Sequence, residues 1–333
     1  MFRTSSTAAR LRAGCAAAAL AAAAAHPLPA AAQQAYPDRP INMLIPYAPG
    51  GGTDLIARAV VPYLQKYLGG KATIVVTNRP GASGAISFNE LAHAAPDGYT
   101  IGFINTPPLM MIPVERRTSF DWKSYDLIGN LVDDPGILVV PQDSPFKDLA
   151  GLRDYARAHP GGVTVATTGA STDDNIAMMK FEANAGIKMT QVPYKGAGEV
   201  RSAIAGKQTM VASINVSEAL QYIKGGTPIR ALGQMSAQRT GLAPDMPTFA
   251  EQGFPVEMSS LRGLGAPKGL PAEVRERLVE ALAAAVADPE FKAKAASMDT
   301  PLRYMAPDEF AAFLTQEEAL YRRLWAETPW LQP

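Results

Sequence analysis

The sequence predicts an α/β protein of two similar lobes with a ligand cleft between them. Short apolar runs of strand formers alternate with amphipathic helical runs, which is typical of largely parallel sheets. A pattern of strand, Gly-rich corner and helix occurs in each half, and 333 residues are enough for two lobes. In such sheets ligands bind at the carboxyl ends of the strands, so we expect the cleft there.

In the first half, apolar β-branched runs predict strands, and apolar residues at helical spacing predict helices. Gly69 and Gly70 end the first helix, and the turn Pro80-Gly81 precedes the second. The acidic segment 133–136 is interpreted as a turn between the last two strands. The predicted strands are residues 41–46, 72–77, 99–104, 127–132 and 137–140, and the predicted helices are 54–67 and 83–94.

The same pattern restarts in the second half. Ser144 is the predicted cap of a helix around residues 147–159, and Gly161-Gly162 introduces the next strand. The predicted strands are 163–167, 190–193, 209–215, 229–235 and the extended segment 257–265. The predicted helices are 174–185, one after Gly198, one ending at Gly225, and two Ala/Leu-rich helices at 271–286 and 307–324.

The restart near Gly136 marks the expected boundary between the lobes. We predict lobe 1 at residues 33–135 plus 258–333, and lobe 2 at residues 136–257. The extended segment 257–265 is the predicted return crossover. Two crossovers make a hinge, about which the lobes are expected to close on a ligand.

The N-terminal segment, residues 1–32, has the features of a cleaved export signal. Three arginines precede an apolar run over residues 13–25, and three alanines end the segment. The run is too short to span a bilayer comfortably, so cleavage after Ala32 is expected in preference to a retained anchor. The protein is therefore predicted to be periplasmic.

The composition of the mature chain limits the kinds of chemistry and the kinds of partner that we expect. The single cysteine, Cys15, lies in the signal, so neither a disulfide nor thiol chemistry is expected. The signal holds three of the 31 basic residues and none of the 31 acidic ones, which leaves 28 against 31. The sequence contains no long run of basic residues, which argues against nucleic acid as a partner. His93 and His159 lack metal-ligand spacing, so no metal and no cofactor is predicted.

The Gly-rich corner at residues 50–54 is the strongest functional signal. Glycine lets the backbone approach a ligand closely, and the first N–H groups of a helix have no partner within it, so the corner favours an anion. It lacks the Gly-Lys-Ser/Thr ending of a nucleotide loop and the spacing of a dinucleotide fingerprint. A tight turn with Thr53 as N-cap remains the structural alternative.

Similar polar corners follow other predicted strands. Ser83 and Thr106 belong to the first half, and Asn215 ends a strand of the second half. We expect these corners to converge because they end neighbouring parallel strands. Lys195 is a possible charge partner, although an exposed lysine is the commoner case. The other second-half candidates are Ser171, Thr172 and Tyr194.

The residues do not favour an enzyme. No G-x-S-x-G elbow surrounds Ser83, Ser171 or Ser213, and neither histidine has an evident partner. The adjacent acids at 133–134 and 173–174 are interpreted as turn and cap residues. Binding without catalysis is the prediction.

Several segments in order resemble the substrate receptors of tripartite tricarboxylate transporters, also called Bug proteins. They are YPDRPINMLIPYAPGGGTD, NRPGASG, AAPDGYTIGF, VPYKGAG, PDMPTFAEQGFP and RGLGAPKGLP. The resemblance runs from Tyr36 to the C-terminus. It implies a two-lobed periplasmic binding protein fold of type II, a small organic carboxylate as ligand, and membrane permease subunits as partners of a monomeric receptor.

The resemblance also implies which loops of this chain hold a ligand carboxylate. Many relatives have Asp near position 215 and Trp at the position of Leu261. The Asn at 215 therefore disfavours an amino-acid ligand, and the Leu at 261 changes a large cleft side chain. With the corners above, the candidate ligand-binding residues are Tyr47, Gly51, Gly52, Thr53, Asp54, Ala82, Ser83, Gly84, Thr106, Ser171, Thr172, Tyr194 and Asn215.

Two functions follow from this pattern. The first is a receptor that delivers a carboxylate to the permease, and the alternative is a periplasmic sensor that feeds a two-component signalling system. In both, the carboxylate is expected to be held mainly by the backbone N–H groups of residues 51–53 and Ser83 and by the hydroxyls of Thr53 and Ser83.

Overall fold

The structure, a computed structural model, describes residues 36–69 and 71–327. The predicted export signal lies outside the described residues. The strands in this part of the chain are β1 (Ile41–Ile45), β2 (Ile74–Asn78), β3 (Thr100–Thr106), β4 (Tyr125–Pro141), β5 (Thr164–Thr167), β6 (Thr190–Pro193), β7 (Val211–Asn215), β8 (Ile229–Gln234), β9 (Ser259–Pro267) and β10 (Leu302–Met305).

The helices alternate with these strands, as the sequence predicts for an α/β fold. They are α1 (Gly52–Leu68), α2 (Ala85–Ala92), α3 (Pro108–Glu115), α4 (Leu149–Ala158), α5 (Asp173–Ala185), α6 (Ala197–Ala205), α7 (Val216–Lys224), α8 (Ala272–Ala287), α9 (Pro289–Ser297) and α10 (Pro307–Glu327). Short 3₁₀ turns occur at Ala82–Gly84, Trp122–Ser124 and Ala250–Gln252. No helix among the described residues is both long and apolar enough to cross a membrane.

The strands form one continuous sheet in the order β2-β1-β3-β9-β4-β7-β5-β6, with β8 and β10 also paired to β4. Strand β1 is parallel to β2 and β3, and β5 is parallel to β6 and β7. Strand β9 runs antiparallel between β3 and β4. Each parallel group brings its strand ends to one edge, which positions the corners that follow β1, β3, β5 and β7.

Strand β4 replaces the acidic turn that was predicted at residues 133–136, so that prediction is wrong. The strand runs unbroken through this segment, and it pairs with β9 as far as Pro135 and with β7 from Gly136 onward. Ion pairs account for both acids: Asp133 lies 2.6 Å from Arg303, and Asp134 lies 3.0 Å from Arg262. Long-range pairing thus overrides the local turn preference of Asp-Asp-Pro-Gly.

Two helix starts also differ from the prediction. Helix α4 begins after Asp148, whose carboxylate accepts a hydrogen bond from the Gly151 N–H at 2.8 Å, and Ser144 instead accepts one from the Phe146 N–H. Helix α1 begins after Gly51, so Thr53 lies inside the first turn and is not its N-cap. Helices α3 and α9 and strand β10 were not predicted.

Helix α1 is held in place by its apolar face and by its C-terminal end. Ile56, Val60 and Leu64 recur every four residues and are buried. At the far end, Asp288 accepts hydrogen bonds from the Lys66 ammonium at 2.7 Å and from the Tyr67 hydroxyl at 2.9 Å. Because its apolar face and its C-terminal end are both held, α1 has a defined position against the sheet.

Candidate binding site

A cavity of about 30 Å³ lies where the ends of β1, β3 and β7 meet the starts of α1, α5 and α7. A space of this size holds about two water molecules, so an organic acid can enter only after the walls move apart. Strand β9 forms a further wall. The lining residues are Tyr47, Gly51, Gly52, Thr53, Asn105, Thr168, Asp173, Asp174, Gly196, Ala197, Asn215, Glu218, Ser260 and Arg262.

The first turn of α1 binds a carboxylate of the protein itself. The Gly52 N–H donates a hydrogen bond of 3.0 Å to the Glu218 carboxylate, which α7 brings from the other side of the cavity. A Cβ on Gly52 would lie 2.7–2.9 Å from the Arg262 guanidinium, so a side chain at this position would displace that buried group. The first turn of α1 therefore holds a carboxylate through a backbone N–H, as helix N-termini commonly do.

Arg262 is the cation of the cavity. It is 2% exposed, and its guanidinium lies 3.0 Å from the Asp134 carboxylate and donates a hydrogen bond of 2.9 Å to the Asn215 side-chain oxygen. Burial lowers the pKa of Arg262, but the surrounding carboxylates outweigh burial and raise that pKa above its ordinary value. The guanidinium therefore stays charged.

Four buried acids lie near this cation or near one another, and we call them the acid cluster: Asp134, Asp173, Asp174 and Glu218. Burial raises the pKa of every carboxyl in the cluster. The pKa of Asp174 is raised well above its ordinary value because the charges of Asp173 and Glu218 add to the effect of burial. The site therefore combines one charged guanidinium with four carboxyls whose protonated form is favoured by burial.

Five of the thirteen candidate residues line the cavity: Tyr47, Gly51, Gly52, Thr53 and Asn215. The Thr53 hydroxyl accepts a hydrogen bond of 2.9 Å from the Asn105 side-chain amide. Burial raises the pKa of the Tyr47 hydroxyl well above its ordinary value, so this group stays protonated and able to donate.

The other eight candidates do not line the cavity, and the partners of several explain why. Asp54 faces Arg58, at 2.9 Å, and Asn78, and Thr172 is the N-cap of α5. Ser83 donates to the Ala170 carbonyl at 2.5 Å. The eight residues are Asp54, Ala82, Ser83, Gly84, Thr106, Ser171, Thr172 and Tyr194.

Several lining residues were not among the candidates. Arg262 and Glu218 carry the opposing charges, and Asp173 and Asp174 were interpreted only as caps. One signal was present for each of the first two: Arg262 interrupts an otherwise uncharged strand, and Glu218 stands three residues after Asn215 in a capping-box arrangement. Neither signal alone places the residue at a cavity.

Comparison with known proteins supplies the family. The sequence model of the tripartite tricarboxylate transporter family receptor matches residues 56–327. The chain belongs to this receptor family. Protein BugT of Bordetella pertussis is 31% identical over 290 residues, which cover 85% of this chain and 87% of BugT. The family and its structural neighbours are solute-binding receptors, which confirms the prediction of a binding protein that is not an enzyme.

Solved structures agree with this assignment. The periplasmic binding protein BugD superposes with a TM-score of 0.81 at 28% identity, over 88% of this chain and 98% of BugD. The structure of R. palustris Rpa4515 with adipate gives 0.82 at 25% identity, over 87% of this receptor and 97% of Rpa4515. The predicted fold of a periplasmic binding protein is therefore confirmed.

Proposed function

We propose that this receptor binds a small organic carboxylate in the periplasm and delivers it to a tripartite tricarboxylate-type permease. The observation that carries the proposal is the hydrogen bond from the Gly52 N–H to the Glu218 carboxylate. Through this hydrogen bond, the segment between β1 and α1 already binds one carboxylate group, that of Glu218. The relative Rpa4515, with adipate, supports the same ligand class.

The ligand carboxylate replaces Glu218 on the first turn of α1 in this proposal. The Arg262 guanidinium lies within contact distance of where a side chain on Gly52 would begin, and it adds a positive charge to the same place. A carboxylate there gains hydrogen bonds to a helix start and to a charged group, and each bond to a charged group is worth about 1.5–3 kcal/mol.

Entry requires the cavity to open. We propose that the lobes, residues 33–135 with 258–333 and residues 136–257, separate by bending β4 and β9 near Gly136 and Ser259. Direct contacts hold the two sides together: Gly52 to Glu218, Ser83 to the Ala170 carbonyl, and a short hydrogen bond from the Ser171 hydroxyl to Glu115. They must break and re-form in each binding cycle.

A thermal-shift screen of mono-, di- and tricarboxylates tests the ligand class. A ligand that binds only the folded state raises the melting temperature, and at about 100 times its Kd it adds about 2.7 kcal/mol of stability. We expect at least one carboxylate to do so. A response to sugars or inorganic cations alone, with none to any carboxylate, would contradict the proposal.

Delivery to a permease needs a separate test. Deleting the receptor gene should abolish uptake of the radiolabelled ligand, and expressing the receptor again should restore it. Unchanged uptake together with a lost transcriptional response to the ligand would indicate a sensor instead. Light scattering after gel filtration should give the mass of a monomer.

A further inference from the structure

The paired strands β4 and β9 separate the binding cavity from a second cavity of about 580 Å³. Along β9, Ser260 and Arg262 line the binding cavity, whereas Ser259 and Leu261 line the second one. Successive side chains of a strand point to opposite faces, so the two cavities lie on opposite sides of this strand pair. We call the second space the hinge cavity, because the lobes are proposed to bend at these strands.

Strand β4 alternates in the same way. Asp133 and Pro135 line the hinge cavity, while Asp134 between them pairs with Arg262 at 3.0 Å on the other face. A rotation about the strand pair that widens the binding cavity therefore narrows the hinge cavity. With volumes of about 30 Å³ and 580 Å³, the binding cavity is nearly closed in this structure and the hinge cavity is wide.

Helices of the two proposed lobes face each other across the hinge cavity. Helix α5, which follows β5 in the lobe of residues 136–257, contributes Lys180, and α10 of the other lobe contributes Glu317. Helix α10 is fixed to its own lobe, where Glu318 accepts a hydrogen bond of 2.8 Å from the Trp122 indole N–H. Rotation of the lobes therefore moves Lys180 and Glu317 toward each other as the hinge cavity narrows.

Lys180 and Glu317 have opposite charges but form no salt bridge in this state. The half-buried Lys180 ammonium donates a hydrogen bond of 2.9 Å to the Glu257 carbonyl, which uses one of its three donors. Burial lowers the pKa of Lys180, and the negative charges of Glu317 and Glu257 act against this effect. No carboxylate of the described residues lies within 4.0 Å of the ammonium.

The other charged groups of the hinge cavity do not change partners when the lobes rotate. Glu257 belongs to the same lobe as Lys180, so rotation leaves their separation unchanged. Asp133 and Arg303 both belong to the other lobe and are already paired at 2.6 Å. Among the described residues that line this cavity, Lys180 and Glu317 combine opposite charges, opposite lobes and the absence of a salt bridge.

We propose that Lys180 and Glu317 form an ion pair when the lobes open, so that the pair stabilises the open receptor and breaks when the receptor closes on a ligand. The proposal rests on the proposed function, because it concerns how the opening of that same binding cavity is regulated. Contacts of Gly52, Ser83 and Ser171 between the proposed lobes stabilise the closed state. Each state then has its own polar contacts, and their balance sets the affinity for a ligand.

Small-angle scattering without ligand and titration calorimetry with adipate as the probe test the pair. Lys180→Gln and Glu317→Gln each remove one charge and keep a side chain that forms hydrogen bonds. We expect a smaller radius of gyration for each variant than for the wild type, because the open state loses its ion pair. The affinity for adipate should rise about two- to fivefold, as expected for an ion pair that is partly exposed to water.

Reversing the pair and changing a neighbouring acid provide the controls. The double variant Lys180→Glu with Glu317→Lys restores the attraction, so its radius of gyration and its affinity should return to nearly the wild-type values. Glu257→Gln removes a nearby charge on the same lobe as Lys180 and should change neither quantity. High salt should reduce the radius of the wild type more than that of Glu317→Gln, since salt screens partly exposed pairs.

Two results would overturn the proposal: single variants with the radius and the affinity of the wild type, or effects of the single variants that persist in the reversed pair. Either result would leave the proposed function standing. The scattering comparison needs no ligand. Smaller radii in the single variants, together with no binding of any carboxylate, would therefore reject the proposed function and support the ion pair.

Discussion

Replacing the buried cation tests whether Arg262 holds the acid cluster in place. Arg262→Met keeps a long side chain but removes the charge, which leaves Asp134 with only the Ser217 N–H and hydroxyl as partners. Arg262 and Asp134 are 2% and 0% exposed, so the abandoned carboxylate has no access to solvent. Breaking a buried pair in this way costs about 3–5 kcal/mol.

The neighbouring ion pair provides a matched control. Asp133 precedes Asp134 on β4 and pairs with Arg303 at 2.6 Å, but the Arg303 side chain is 48% exposed. Exposed pairs of this kind contribute about 0–1 kcal/mol. Arg303→Met should therefore have little effect, while Arg262→Met should lower the melting temperature by about 5–10 °C.

Chemical denaturation at neutral pH measures the two free energies of unfolding. Adding Asp134→Asn to Arg262→Met should recover part of the loss, because the stranded charge is then absent. The penalty should also shrink in mild acid, where protonated carboxyls need no counter-ion. Equal costs for Arg262→Met and Arg303→Met, with no recovery in the double variant, would refute the reasoning.

Three further predictions concern the same region. Gly52→Ala should weaken ligand binding, since its Cβ would clash with Arg262, whereas Gly51→Ala meets nothing closer than 3.6 Å; calorimetry of both variants compares them. The raised pKa values of the acid cluster mean that the folded state holds protons which the unfolded state releases. The free energy of unfolding without ligand should therefore rise as the pH falls toward about 4, the ordinary pKa of a carboxyl. Asp174→Asn should flatten that rise in a denaturation series, and an identical slope in the variant would contradict this. Ser83→Ala removes a contact between the two proposed lobes, so small-angle scattering should show a larger radius of gyration without ligand.

The local part of the site could be predicted from the sequence. The apolar run of β1, the glycines and the periodicity of α1 adjoin one another in the chain, so their effect on the backbone is local. Gly51, Gly52 and Thr53 accordingly line the cavity. The position of Asn215 at the cavity could also be predicted, because Asn215 ends a strand with a clear apolar pattern.

The charged part of the site depends on pairing between distant segments. Arg262 reaches the cavity because β9 pairs Arg262 with Asn105 on β3 and with Val132 on β4. The sequence indicates an extended segment there but not its neighbours. The ion-pair partners of the acids at 133–134 could not be predicted for the same reason, since Arg262 and Arg303 lie more than a hundred residues away in the sequence.

The contact between Glu218 and the start of α1 has a consequence for how affinity is set. In the binding mode that we propose, a ligand carboxylate occupies the start of α1. Because Glu218 is tethered to the chain, it would compete with that carboxylate at an effective concentration fixed by the fold. The measured free energy of ligand binding is then the difference between two terms: the interaction of the ligand carboxylate with the start of α1, and the interaction of the Glu218 carboxylate that it replaces. A substitution at position 218 can shift affinity for every ligand by the same factor, while the residues that distinguish one ligand from another stay unchanged.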